Sequence, residues 1–502
     1  MGLDPRPNDA MAWAAQLWLL LVIAVAPAAA HPVSAVTSVE LGENIPAGVF
    51  GGIAFRRLRG EIHGQVSPEE GVAGISAHTR ASALRYSAAF ELLVPQRAAN
   101  ADGIIVEAAN RGMGALSTLA ALPARDAGVA NPAAQRADGE RFLLGQHLSL
   151  ALIQWQVGIA SGVPQDAQGV GQVIVRDFGR WLSGRFRDGS TPIPVFHRLI
   201  LAGVSQSAWL VNSVVAEGFN VDPANGRGVY QGVFTRNGVG VVLAINRFAA
   251  GGAQFPYVPP DLAPLMPSEL LRRPRSDPVL VDLAALTDFY RLRAGLFARA
   301  PGAARLHRFA TMAAHAPGTN APLAQLFGAM GCNGGQPVAL NAVSDATAVR
   351  ALLLGLADAI GIRTATRHRL PPDAPFMLAP APAKLAGINR LGSAPLWIPA
   401  ADVDGVPLGG IGLIEATAPV GRPAPPALSP VGVRSINDVC GNFSGWEPWS
   451  TAEIGARYGS RQTYRSLVAR RADHLIRTGY LLASDRTAEL DRVERALPPD
   501  VR

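Results

Sequence analysis

Lysine is almost absent from this 502-residue chain. Of 45 Lys and Arg residues a single one, Lys384, is lysine, and that scarcity removes two kinds of chemistry. No glycine-rich loop precedes Lys384, so there is no P-loop to cradle a nucleoside triphosphate. A Schiff-base enzyme would have to use this one residue, which stands in a Pro- and Ala-rich stretch. Cysteine is nearly as rare: Cys332 and Cys440 are the pair present, and they form no CxxC. There is no HExxH and no metal-ligand spacing among the nine histidines, so no metal is expected. Gly226-Arg227-Gly228 and Gly238-Val239-Gly240 do not continue as GxGxxG, so dinucleotide binding is unsupported, and no cofactor is expected. The 53 glycines and 40 prolines keep no fixed period, which excludes collagen-like and solenoid architectures.

What is plentiful is apolar side chain and arginine. Hydrophobic residues make up 49% of the chain and charged ones 17%, enough to bury a sizeable core and far from a disordered composition. The net charge of +7 comes from scattered arginines. The densest groups, Arg56-Arg57-Arg59, Arg272-Arg273-Arg275 and Arg470-Arg471, form no long basic run beside a nucleic-acid module, so no nucleic-acid partner is expected. Nonspecific attraction to an anionic envelope surface is the more plausible use of the charge.

Residues 17–26, LWLLLVIAVA, are too short to span a bilayer comfortably and are followed by Pro27-Ala28-Ala29-Ala30-His31. A short apolar run before a small-residue site predicts a secretory signal peptide over 1–30 with cleavage after Ala30, an uncleaved anchor being the alternative. No later stretch suggests a membrane span. The expected location is secreted or periplasmic, where Cys332 and Cys440 most simply form one disulfide; two free buried thiols are the alternative.

Along the mature chain, Val36–Leu41, Ile53–Arg59 and Leu84–Val94 read as strands separated by turn residues. Gly103–Ala108, Leu150–Trp155, Arg198–Ala202 and Pro278–Leu283 are continuous apolar runs of strand length, the mark of a parallel sheet buried on both faces. Helical patterns over Gly171–Arg187, Ser207–Glu217 and Asp345–Ile360 alternate with them, so the expected fold class is α/β. Residues 251–276 read as an insertion or loop, 362–440 as irregular or β, and 450–495 as helical.

The sharpest local signal is Leu199-Ile200-Leu201-Ala202-Gly203-Val204-Ser205-Gln206-Ser207-Ala208-Trp209. An apolar strand runs through small-x-Ser-x-small into a helix, the context of a nucleophile elbow. The turn is so sharp that only small residues fit two places before and after the serine. It lifts the serine to a helix N-terminus, where the amide of Gln206 faces a developing oxyanion. In this arrangement the acid and the histidine follow in that order. Of the later histidines, His315 ends an apolar run and precedes loop breakers. His307 is read as a surface residue before that strand, and His474 as part of a charged helix. Asp288 lies just past strand Pro278–Leu283 and before His315; Asp277 and Asp282 are poorer candidates. The second oxyanion donor is expected from the glycine-bearing loop Asn110-Arg111-Gly112, with Trp155 and Gln156 as candidates to line the substrate pocket.

These blocks resemble a known family, the secreted or periplasmic bacterial α/β-hydrolase-domain proteins of about this length. The matching segments include Phe55–Val66, Phe90–Gly112, GVSQSA at Gly203–Ala208, VYQGVFT at Val229–Thr235, GCNGGQPVALNA at Gly331–Ala342, GVPLGGI at Gly405–Ile411 and the tail from Ala456. The resemblance implies an α/β-hydrolase fold, Ser205 as nucleophile, His315 as base, Asp288 as acid and the Asn110–Gly112 loop in the oxyanion hole. Two positions depart from it. The family often has a glutamate two residues before the aspartate, where this chain has Leu286, and a glycine where it has Ala313. The implied layout is a β-rich segment over 31–102, a catalytic core over 103–320 and a C-terminal extension over 321–502 that holds both cysteines. The activity expected is hydrolysis of a small-molecule carboxylic ester or lactone. An acyltransferase with the same nucleophile and a non-catalytic binding protein on this scaffold are the alternatives.

Overall fold

The computed structural model describes residues 33–70, 72, 75, 83–122, 131–164, 166–167, 169–185, 193–243, 263–315, 331–332, 339–382, 395–426 and 439–499. The expected signal peptide, Lys384 and the first part of the 251–276 insertion lie outside them.

Nine strands form one sheet: β1 (Ala35–Phe50), β2 (Ile53–Val66), β3 (Leu84–Pro95), β4 (Gly103–Ala108), β5 (Ser149–Ile153), β6 (Arg198–Val204), β7 (Gly232–Arg236), β8 (Val279–Ala285) and β9 (Leu306–Thr311). Their order is β1-β2-β3-β5-β4-β6-β7-β8-β9. The first three strands and the β3–β5 pair are antiparallel, and every pair from β5 to β9 is parallel. β1 pairs with β2 through three register shifts, at Val36/Ser38, Leu41/Glu43 and Pro46/Gly48.

Alternation within the parallel strands builds two cores. Ile104 and Val106 of β4 and Leu199 and Leu201 of β6 point into one; Ile105, Ile200 and Ala202 point into the other. Side chains on successive residues face opposite sides of a strand, so apolar runs without polar alternation demand cover on both faces. On the first face lie α2 (Val170–Leu182) and α3 (Gln206–Ala216). On the second lie α1 (Pro132–Gly145) and α4 (Ala346–Ala359), with α5 (Thr451–Tyr458), α6 (Arg461–Thr478) and α7 (Arg486–Arg495) behind. Asn131 caps α1 by accepting from the amides of Ala133 and Ala134, and Pro132 occupies the first turn, where its missing N–H costs nothing.

The α/β class and the strand runs match the sequence reading, with differences of detail. The helix expected over Gly171–Arg187 stops at Leu182. The helical tail is three helices, because Gly459 and Gly479 turn the chain through φ +69° and +84°. β7 carries no long apolar run and went unread. His307 lies inside β9, opposite Val281, rather than ahead of the strand. Past residue 320, α4 packs on β7 and β8 and covers the second face of the sheet.

Candidate active site

β6 ends at Val204, and the next residue turns sharply. Ser205 has φ +57° and ψ −124°, a conformation costing about 1–3 kcal/mol for a residue with a Cβ. Three contacts hold it there. Its amide donates to the carbonyl of Arg236 at 2.9 Å, and its carbonyl accepts from the amides of Ala208 and Trp209 at 2.9 and 3.3 Å. The flanking small residues have separate reasons. A Cβ on Gly203 would stand 2.5 Å from the carbonyl oxygen of Ser207, so nothing larger than glycine fits. Ser207 is fully buried, and its hydroxyl accepts from the amide of Val204 and donates to its carbonyl, both at 2.9 Å. The serine that replaces a second glycine therefore ties off the end of the strand.

The side chains of Ser205, His315 and Asp288 come together from three strand ends. Ser205 Oγ lies 2.8 Å from His315 Nε2, and His315 Nδ1 lies 2.9 Å from Asp288 Oδ1. Asp288 opens the helical turn Asp288–Arg291 after β8 and is fully buried. Its second oxygen accepts from the side-chain amide of Asn237 and the backbone amide of Ala285, each at 2.8 Å. Leu286, at the position where a glutamate was noted, is buried, and its amide donates to Ala313. Burial holds the His315 imidazole below its ordinary pKa of 6.5; Asp288 opposes that shift, and Arg291 and Arg236 add to it. The lowered pKa favours the uncharged ring, and a proton on Nδ1 toward Asp288 would leave Nε2 to accept from Ser205.

The Asn110–Met113 turn stands beside this group. Arg111 and Gly112 at its tip both have positive φ, +52° and +83°. The amide of Asn110 donates to the carbonyl of Met113 at 2.8 Å, so among the turn residues this amide is committed within the turn. The Asn110 side chain donates to the carbonyl of Val204, next to Ser205, at 3.0 Å. Arg111 Nε lies 3.4 Å from the side-chain oxygen of Gln206. Gln206 is the first residue of α3, where an amide has no partner within the helix. Trp155 and Gln156 are both buried. Trp155 donates its indole N–H to the carbonyl of Ala109 at 2.7 Å and so supports the foot of this turn. Glu107 supports the other foot by accepting from the amides of Ala115 and Leu116 at 2.6 and 2.9 Å.

Three residues next to the site went unread in the sequence. Arg236 ends the short β7, Asn237 follows it, and Asp345 precedes α4; none sits in a recognisable motif. Cys332 and Cys440 are joined, with Cα atoms 5.6 Å apart. The turn Val439–Asn442 that carries Cys440 packs against Asp288–Arg291, so the bond reaches the core as well as the C-terminal region that holds both cysteines. Among the described residues no group of His, Cys, Asp and Glu could hold a metal ion, and no helix is long and apolar enough to cross a membrane.

A sheet that turns parallel beyond its antiparallel arm, with a serine on a strained strand-to-helix turn facing a histidine, defines a class. A family model described as "Alpha/beta hydrolase domain" matches residues 91–491, and the chain belongs to that family. No curated protein matches the sequence. Among solved structures, the chain is similar to a CE15 glucuronoyl esterase from Teredinibacter turnerae T7901, at 15% identity over 41% of this chain and 46% of that one, with a TM-score of 0.24. It is similar to a glucuronoyl esterase from Solibacter usitatus at 13% identity, covering 49% and 67% of the two chains with a TM-score of 0.26. For the esterase Est22 the figures are 14%, 42% and 66%, with a TM-score of 0.22. The chain thus spans about half the length of the first of these structures.

Proposed function

We propose that this chain is a serine esterase that cleaves a small carboxylic ester or lactone through an acyl-enzyme on Ser205. The observation that carries this reading is the unbroken line of hydrogen bonds from Ser205 Oγ through the His315 ring to Asp288, at 2.8 and 2.9 Å.

In the proposed cycle Ser205 Oγ attacks the carbonyl carbon while His315 Nε2 takes its proton. The carbonyl π electrons move onto oxygen, and the imidazolium is balanced by the buried Asp288 carboxylate. The oxyanion is received by the amide of Gln206 and by the tip of the turn at Arg111 and Gly112; Asn110 serves through its side chain, which ties the turn to Val204. Collapse expels the alcohol, which takes the proton from His315. Water, deprotonated by the same ring, then attacks the acyl-enzyme and releases the acid and free Ser205. The cycle needs no cofactor. The disulfide supports reading the protein as exported, since such bonds persist in oxidising compartments.

Ser205→Ala should lower kcat on p-nitrophenyl acetate by at least ~10³-fold and abolish labelling by a fluorophosphonate probe, with the fold intact by circular dichroism. Full hydrolysis by that variant would overturn the reading. Product analysis with an added alcohol distinguishes hydrolysis from acyl transfer.

A further inference from the structure

We propose that Arg236, acting with Asn237, is the positioning residue that holds the three arms of the site in register. The inference rests on the esterase reading above.

Arg236 is the last residue of β7 and is completely buried. Its backbone carbonyl receives the amide of Ser205 at 2.9 Å, which fixes the strained elbow. Its guanidinium points the other way, into the segment that carries the histidine. Nη2 donates to the carbonyl of Ala314 and Nη1 to that of His315, both at 3.0 Å. Nη1 also donates to the side-chain oxygen of Asn237 at 2.8 Å, and the amide nitrogen of Asn237 donates to Asp288 at 2.8 Å. One residue thus touches the backbone of Ser205 and of His315 directly, and the carboxylate of Asp288 through its neighbour.

The surroundings fit this task. Leu286 binds the carbonyl of Ala313 and Thr287 Oγ1 accepts from the amide of His315, so three successive carbonyls and one amide of the 313–315 segment are engaged. Two of those carbonyls depend on Arg236, and only a planar fork reaches both. Asp345 offsets the buried charge through Arg236 Nε and Nη2, at 3.0 and 2.9 Å, and Thr311 Oγ1 donates to the same carboxylate oxygen. Asn237 stands at φ +65°, a left-handed conformation that asparagine tolerates better than most residues.

There is a cost that structure alone does not require. The histidine must gain a proton in each half-reaction, beside a buried cation. The charged groups around the ring are Asp288, which favours the imidazolium, and Arg236 and Arg291, which oppose it. Asp345 answers Arg236, and Asp282 interacts electrostatically with Asp288. Arg236 therefore exchanges some basicity of His315 for its placement.

The test compares Arg236→Lys, Arg236→Met and Asn237→Gly in the full chain, read as kcat/KM against pH on p-nitrophenyl acetate together with the melting midpoint. Both Arg236 variants should lose ~100-fold in kcat/KM at the plateau, as expected of a misplaced base, with KM changed little. In Arg236→Met the acid limb should move to higher pH because a neighbouring positive charge is gone, whereas Lys should leave it near its original place. Asn237→Gly, which relieves the backbone, should cost ~10-fold through looser Asp288 placement. A variant within twofold of the parent would overturn the proposal. So would an Arg236→Met enzyme whose melting point falls while the limb stays put. If the Arg236 variants do not fold, Asn237→Gly at parental activity overturns it alone. Activity retained by Ser205→Ala would instead sink the esterase reading.

Discussion

His315 shows how a single side chain is tuned by what surrounds it. The ring is buried, and burial disfavours its charged form. The base must be neutral to accept the Ser205 proton, so activity rises as pH increases through its pKa. Since that pKa is held below 6.5, kcat/KM on a neutral ester should reach half its plateau at a pH below 6.5 and stay flat through neutrality. A half-maximum above pH 7 in a pH–rate profile would contradict this placement of the ring. The residues of the elbow were legible in sequence because their constraint is local: Gly203, Ser205 and Ser207 fit one turn within five positions. Arg236 was not legible, because the atoms it binds lie 78, 79 and 109 residues further on. Nothing in Phe234-Thr235-Arg236-Asn237 announces a buried cation; only the fold brings the carbonyls and Asp345 to it.

At the scale of elements, the loop after β4 is held at both feet. Asn110 ties one side to the end of β6, and Glu107 ties the other through two amides. Burial pushes the Glu107 carboxyl up to about 7 despite those two donors. Its folded pKa therefore lies above the ordinary 4.5, and the unfolded chain gives up this proton first as pH rises. The native state consequently loses stability across the window from about 4.5 to 7, by on the order of 3 kcal/mol when the window is crossed. Glu107→Gln keeps an oxygen acceptor and removes the titration. Its melting midpoint relative to the parent should climb between pH 5 and pH 8, and a constant difference would show that Glu107 does not titrate there. The loop itself was found in sequence from its glycine and its place after an apolar strand. Its anchoring was not, because a glutamate in a β-strand reads as a surface residue until both faces of the sheet are covered.

Across the whole molecule, the region after residue 320 is part of the architecture that carries the site. α4 closes one face of the sheet, and Asn341 donates to the carbonyl of Met312, three residues before His315. The disulfide ties Cys332 to the turn packed on Asp288–Arg291. Closing a loop between residues 108 apart is worth ~4–5 kcal/mol in the chain-entropy account. Cys332→Ser with Cys440→Ser, or reduction under native conditions, should lower the melting midpoint and reduce kcat before global unfolding begins. A protein whose activity and melting curve ignore reductant would place the bond outside the working structure. The pairing was legible in the two cysteines, but the contact with the core was not, because the sequence does not show which core element the second cysteine meets.

The two margins of the nine-stranded sheet are finished in opposite ways. On the β9 side the chain covers its own edge: Ala310 donates to Ala374, Ala374 to Arg308, and Ile411 to Ala310. On the other side β1 ends the sheet, and it bends at three register shifts and carries Glu40, Glu43 and Pro46. An edge that is kinked, charged and missing a donor is a poor template for a strand from another molecule. A long antiparallel arm can thus extend the sheet past its parallel core while giving aggregation little to grow on.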